Sequence, residues 1–108
     1  MKKVNEIIIA VGDYEDTYGP EESKNNSTIE MKALIDLIKE RGYVKETDSY
    51  VADDNCLSIK VDEAVSIEQG FDLVKAFEEI YEVTEFSFKA EYDDFYEEEP
   101  YMLIFVRK

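Results

Sequence analysis

The sequence predicts an α+β domain in which two helices cover one face of a sheet. Segments with helical apolar spacing and segments with strand-like spacing follow in the order strand, helix, strand, strand, helix, strand, strand. The first six elements have the order of a split βαβ unit, whose right-handed crossovers place both helices on the same face. The 108 residues have the length of a single domain, residues 1–108.

The first strand is predicted at Val4–Val11, which is nearly all apolar and ends at Gly12. A strand of this kind is buried on both faces, so we expect it at the centre of the sheet. The next segment, 13–26, is polar and lacks periodicity, and it is long for a connection within a compact domain. We therefore interpret it as a binding loop or a mobile segment.

The first helix is predicted after a capping-box sequence, Ser27-Thr28-Ile29-Glu30, in which the serine and glutamate side chains bond the free backbone N–H groups. Its apolar stripe has the i, i+3, i+4, i+7 spacing of a helix with one buried face. The members of the stripe are Met31, Leu34, Ile35 and Ile38. Gly42 is the expected residue just beyond the C-terminal end.

A hairpin is predicted next, with strands at Tyr43–Val51 and Cys56–Val61 joined by Ala52-Asp53-Asp54-Asn55. Asp and Asn favour turns because their side chains bond the local backbone. The first strand of this pair is the more polar one, so we expect it at an edge of the sheet.

The second helix is predicted to begin at another capping box, Ser66-Ile67-Glu68-Gln69, and to run to about Glu82. Its apolar residues recur at helical spacing and are expected in the core; they are Ile67, Phe71, Val74, Phe77 and Tyr81. Gly70 lowers helix propensity in the first turn, and the reason that we expect for it is close contact with the sheet.

The last two strands are predicted at Thr84–Tyr92 and Tyr101–Val106, and Pro100 precedes the second of them. Thr84–Tyr92 alternates between apolar and polar residues, whereas Tyr101–Val106 is apolar on both faces, as in a strand covered or paired on both sides. We expect Thr84–Tyr92 beside the first strand and Tyr101–Val106 as an additional fifth antiparallel strand at the edge. The whole arrangement is then ferredoxin-like, a fold that hosts many unrelated functions.

The charge balance restricts the classes of partner. There are 27 acidic and 12 basic residues and no histidine, giving a net charge of −15. Nucleic acids and anionic membranes require a cationic surface, so we expect neither as a direct partner. One cysteine, Cys56, excludes an internal disulfide, and the apolar run at Ile7–Val11 is too short for a signal peptide or a membrane span. We expect a soluble, cytoplasmic protein.

No catalytic signature is present. A serine or cysteine nucleophile would lack its usual histidine base, and Cys56 is interpreted as a small core residue. Asp13, Glu15 and Asp16 follow the first strand and together favour Mg²⁺ ligation. Their position resembles that of the aspartate in the small ferredoxin-like nucleases of CRISPR adaptation, so a metal-dependent nuclease is kept as the weakest alternative. We predict no catalytic residue, metal or cofactor.

The same loop has a partial likeness to a calcium-binding loop. Asp13 and Glu15 match its start, but Tyr18 and Lys24 stand where glycine and a bidentate acid are required. We therefore predict no calcium site here and expect these side chains to face solvent.

The clearest functional feature is the connection between the last two strands, where six carboxylates lie within nine residues and aromatic residues lie among them. Exposed rings anchor protein interfaces, and carboxylates pair with arginine. We predict partner binding by this connection and by the acids of the 13–26 segment. The predicted residues are Glu91, Tyr92, Asp93, Asp94, Phe95, Tyr96, Glu97, Glu98 and Glu99, with Asp13, Glu15, Asp16, Glu21 and Glu22.

Acids and rings together imitate the phosphates and bases of a nucleic acid. In this combination of acids and rings the chain resembles the anti-restriction and anti-CRISPR proteins of phages and plasmids. The resemblance implies an inhibitor of a basic nucleic-acid-binding protein that has no enzymatic activity. Two other interpretations are kept. The acids serve only solubility while the rings pack onto the core, or the chain is an interaction module that self-associates as a homodimer through its sheet, with Tyr101–Val106 as the candidate strand.

Overall fold

Among the described residues, five strands form one mixed sheet, and two helices contribute to the same core. A computed structural model of the protein describes residues 2–12, 31–52, 55–91, 95 and 99–107. The elements are β1 (Lys3–Val11), α1 (Met31–Glu40), β2 (Ser49–Ala52), β3 (Cys56–Ser66), α2 (Ile67–Glu78), β4 (Glu82–Lys89) and β5 (Tyr101–Arg107). This confirms the α+β class, and the described elements follow one another in the predicted order.

The strand order across the sheet is β2-β3-β1-β5-β4. β1 is central, as predicted, and it pairs antiparallel with β3 and parallel with β5. At the middle of the sheet Ile9 lies between Leu57 of β3 and Ile104 of β5. β2 forms one edge and β4 the other, and each pairs antiparallel with its only neighbour among the described strands.

The positions predicted for β4 and β5 are wrong. The sequence interpretation put β4 beside β1 and β5 at the edge of an antiparallel sheet, whereas β5 lies between them and makes the sheet mixed. The ferredoxin-like order is therefore not found. Leu103 and Phe105 on one face, with Ile104 on the other, give β5 two apolar faces, so burial favours it inside the sheet. β4 carries exposed Glu85 and Lys89, which are compatible with an edge.

The core lies on one face of the sheet. Residues paired across β3, β1, β5 and β4 form buried rows, one of which runs through Ile59, Ile7 and Met102 to Phe88. Both helices contribute to this cluster, α1 through Leu34, Ile35 and Ile38, and α2 through Leu73 and Phe77. The opposite face includes Ala10 and Phe105, which are also buried but lie outside this cluster.

The helix ends follow the sequence signals within the described residues. Gly42 has φ of +83°, and the amides of Gly42 and Tyr43 donate to the carbonyls of Lys39 and Ile38, which is a Schellman ending. At the start of α2, Ser66 Oγ accepts from the Gln69 amide at 3.3 Å while the Gln69 side chain accepts from the Ser66 amide at 2.8 Å. The predicted capping box of α2 is therefore confirmed. The capping box predicted for α1 and the predicted turn residues Asp53 and Asp54 lie outside the described residues.

Several predicted boundaries differ. β2 begins at Ser49 rather than Tyr43, because a turn precedes it in which the Asp48 carboxylate accepts a hydrogen bond from the Lys45 amide. The same carboxylate also accepts from the amide of Asp62 in β3. α2 ends at Glu78, and Tyr81 then packs near Phe77 with ring centroids 6.5 Å apart. The expected edge position of β2 is confirmed.

Candidate functional site

The acidic tip, which we define as residues 91–99, joins β4 to β5 at the end of an antiparallel hairpin. Lys89 pairs with Tyr101 in the last rung before the tip. Within the tip the structure describes Glu91, Phe95 and Glu99, and all three are exposed. The Phe95 side chain is the most exposed large apolar group among the described residues, at 84%. At this position the ring does not fold back onto the core.

The base of the tip is tied to the start of β1. Lys2 Nζ donates to Glu91 Oε1, and both side chains are exposed. This hydrogen bond and the attraction of the ammonium hold the pKa of Glu91 below its ordinary value. Glu91 is therefore ionised at neutral pH, but its charge is partly offset by Lys2.

The remaining predicted binding residues lie outside the described residues, so their mutual arrangement stays a prediction. They are Tyr92, Asp93, Asp94, Tyr96, Glu97 and Glu98 of the tip, and Asp13, Glu15, Asp16, Glu21 and Glu22 of the 13–26 segment. Asp13, Glu15 and Asp16 are also the residues of the nuclease alternative.

Tyr101 belongs to the sheet rather than to the tip. It is half-buried in β5, beside Glu6 of β1 on one side and Lys89 of β4 on the other. Lys89 Nζ lies 5.7 Å from the centroid of the Tyr101 ring, a cation–π contact. This ring therefore packs against Lys89 within the β4–β5 hairpin.

Many of the basic side chains are held in exposed ion pairs with acids. The pairs within the described residues include Lys2–Glu91, Lys32–Asp36, Lys39–Glu46, Arg41–Asp72, Lys45–Glu63 and Arg107–Glu82. A hydrogen bond from Arg107 lowers the pKa of Glu82, and one to Glu63 raises that of Lys45. Each pair adds little stability because it is exposed. Because acids outnumber bases, 27 to 12, the net surface potential is negative.

The β4 edge is a second feature, which sequence reasoning did not find. Phe71 of α2 was predicted to lie in the core, but its side chain is 49% exposed. Its ring packs at a tilt against the Phe86 ring of β4, with the ring centroids 5.4 Å apart. An open, largely apolar groove of about 470 Å³ lies at the end of the same strand. The groove is lined by Lys2, Ile67, Phe88, Lys89, Ala90 and Glu91. Helical spacing placed Phe71 on the apolar face of α2 but could not show that the face extends past the sheet edge.

The described residues contain no group of three or more metal-ligating side chains. Cys56 is half-buried at the start of β3, where it pairs with Ala10. No helix in the described part of the chain has the length and apolar character needed to cross a membrane.

The fold and the surface define an acidic α+β protein with an exposed aromatic residue in its acidic tip and an edge strand, β4, that pairs with β5 alone among the described strands. Comparison of the chain with models of protein families, with curated proteins and with solved structures found no match.

Proposed function

We propose that this protein is a non-enzymatic inhibitor that binds a basic nucleic-acid-binding protein in place of its DNA or RNA. In this proposal the acidic tip enters the groove that normally holds nucleic acid. The tip carboxylates pair with arginine and lysine side chains, and the tip rings occupy sites that otherwise accept bases.

The exposure of Phe95 is the observation that carries the proposal. A phenyl ring adds nothing to the solubility of an acidic loop, and fully burying an exposed phenyl ring against a partner contributes about 1.5–3 kcal/mol to binding. Phe95 is 84% exposed, and exposed Glu91 and Glu99 lie at the two ends of the tip. This combination favours a binding role over a purely solubilising one.

The charge of the molecule supports the same function. A net charge of −15 on 108 residues repels nucleic acid and attracts basic proteins at long range, which speeds their association. Association should therefore slow as the salt concentration rises.

The test is affinity capture from host lysate at low and at high salt, followed by competition with nucleic acid. We expect captured nucleases, polymerases or repressors that elute as ionic strength rises and that are released by excess DNA or RNA. A captured protein that is insensitive to nucleic-acid competitor would refute mimicry.

Two matched pairs of variants locate the binding surface on a captured partner. Neutralising Asp93, Asp94, Glu97, Glu98 and Glu99 as their amides should abolish binding, whereas the same treatment of five exposed acids elsewhere should weaken it only slightly. Those control acids are Glu40, Glu46, Asp62, Glu63 and Glu68. Phe95→Ala should weaken binding more than Tyr50→Ala, which removes a 50% exposed ring from β2. If the tip variant and its control weakened binding equally in either pair, the acidic tip would not be the binding surface.

The second candidate, self-association through the sheet, is favoured by β4, an edge strand that has β5 as its one neighbour among the described strands. Tyr101–Val106 was the strand proposed for it, but that strand is enclosed between β1 and β4. Among the described strands the two edges are β2 and β4, and the half-exposed Phe71 ring against Phe86 favours β4.

A further inference from the structure

We propose that β4 pairs with β4 of a second copy of this chain, antiparallel about a two-fold axis at Ser87. The resulting dimer has one continuous ten-stranded sheet with the helices of both copies on the same face. Formation of this dimer does not depend on the inhibitor function proposed above.

The regular part of β4 defines where a strand can be added. A bulge interrupts the register between Val83 and Glu85, whereas Glu85–Lys89 pairs without interruption with β5. A bulge disturbs the row of edge groups that an incoming strand needs, so the usable edge is Glu85–Lys89. Ser87 is the central residue of that segment. When Glu85–Lys89 of one copy pairs over its full length with Glu85–Lys89 of the other, Ser87 therefore lies opposite Ser87.

Charge selects the same register. With the two-fold axis at Ser87, antiparallel pairing places Glu85 opposite Lys89 of the second copy on the same face of the joined sheet. The two-fold symmetry gives a second, identical pair between Lys89 and Glu85 of the second copy. Both residues lie on the sheet face opposite the core, as their partners Phe105 and Tyr101 do. Moving the axis to Glu85 places two glutamates opposite each other. Moving it to Phe88 places Glu85 opposite Glu91, again an unfavourable pair.

The core-side face is complementary as well. In this register Phe86 lies opposite Phe88 of the second copy, and aromatic cross-strand pairs stabilise antiparallel sheets. The half-exposed Phe71 ring packs at a tilt against Phe86, and Phe88 lines the groove of about 470 Å³. The half-exposed Phe71 ring of each copy is thus brought next to the apolar groove of the other. The dimer gives a common explanation for the exposed ring and for the groove.

Charge exchange tests the register. In sedimentation at physiological salt, the wild type should dimerise with rising concentration. Glu85→Lys alone and Lys89→Glu alone should each raise the dimer dissociation constant by about tenfold or more, because two attractive pairs become repulsive. A mixture of the two variants should form a heterodimer, and the double variant should recover the wild-type constant. Glu40→Lys and Lys60→Glu are charge-matched controls at exposed positions outside β4.

Cross-linking tests the axis. In a Cys56→Ser background, Ser87→Cys should form an intermolecular disulfide on mild oxidation, because directly opposed residues of antiparallel strands have Cα atoms about 4.5–5.5 Å apart, within disulfide range. Ser58→Cys, on the interior strand β3, should not cross-link. A wild type that stays monomeric at high concentration, an unchanged dimer in both charge variants, or equal cross-linking at positions 58 and 87 would each overturn the proposal. A dimer through β2 would produce the second of these results.

Discussion

Tyr43 links the segment after α1 to helix α2 through a single hydrogen bond. Its hydroxyl donates to Asp72 Oδ2 at 2.8 Å, and Arg41 Nη1 lies 3.8 Å from the other carboxylate oxygen. Partial burial, and then the hydrogen bond to the Asp72 carboxylate, raise the pKa of Tyr43 above its ordinary value of 10.0. The folded protein therefore holds this proton more tightly than the unfolded chain does.

Tyr43→Phe should lower the free energy of unfolding by about 1 kcal/mol at neutral pH, the usual contribution of one hydrogen bond. Because the pKa is higher in the folded state, this contribution is fully present below the pKa of the unfolded chain and is lost as pH rises through the folded-state value. The difference between wild type and variant should therefore shrink at alkaline pH. Denaturant unfolding from neutral to strongly alkaline pH measures it, and a difference independent of pH would contradict the assignment.

Individual residues also show how far the sequence can be interpreted. The expected close contact of Gly70 with the sheet is found, since a Cβ there would lie 3.0 Å from both Met102 Sδ and Phe86 Cζ. The exposure of Phe71, one residue further along, was not predicted. Helical spacing identifies the apolar face of a helix, but the width of the sheet beneath that face depends on tertiary structure.

Among the elements, β5 is the one whose position the sequence analysis misplaced. Its two apolar faces indicated a strand covered or paired on both sides, and that signal was correct. Alternation along a strand identifies which face is buried, but it does not specify the neighbouring strands. The parallel pairing of β1 with β5 joins segments far apart in the chain, so no local pattern reports it.

The central position of β5 can be measured by substitution. Ile104 is wholly buried between β1 and β4, so Ile104→Ala should lower the free energy of unfolding by about 2–5 kcal/mol. Val51→Ala, at the 75% exposed position on β2, should change it by less than about 0.5 kcal/mol. Denaturant unfolding of both variants gives the comparison. A cost for Ile104→Ala as small as that for Val51→Ala would contradict an interior β5.

At the scale of the molecule, like charge opposes folding. A net charge of −15 on 108 residues produces self-repulsion that the unfolded chain relieves by expansion. Added salt screens this repulsion but also weakens the exposed ion pairs, and the larger number of unpaired acids makes the first effect dominate. The melting temperature should therefore rise between dilute buffer and physiological salt. Calorimetry or circular dichroism measures it, and a lower melting temperature in salt would show that the ion pairs outweigh the repulsion.

The interior position of β5 has a consequence for how the chain reaches its native state. The strand that closes the middle of the sheet follows every other described element in the chain, and it joins Glu6 to Tyr101. Closing so large a loop makes contact order high and folding slow. Until residues 101–107 emerge during synthesis, β1 has one unpaired side and β4 has no partner strand among the described elements. A nascent chain at that stage exposes apolar strand edges that β5 later covers, and such edges promote aggregation.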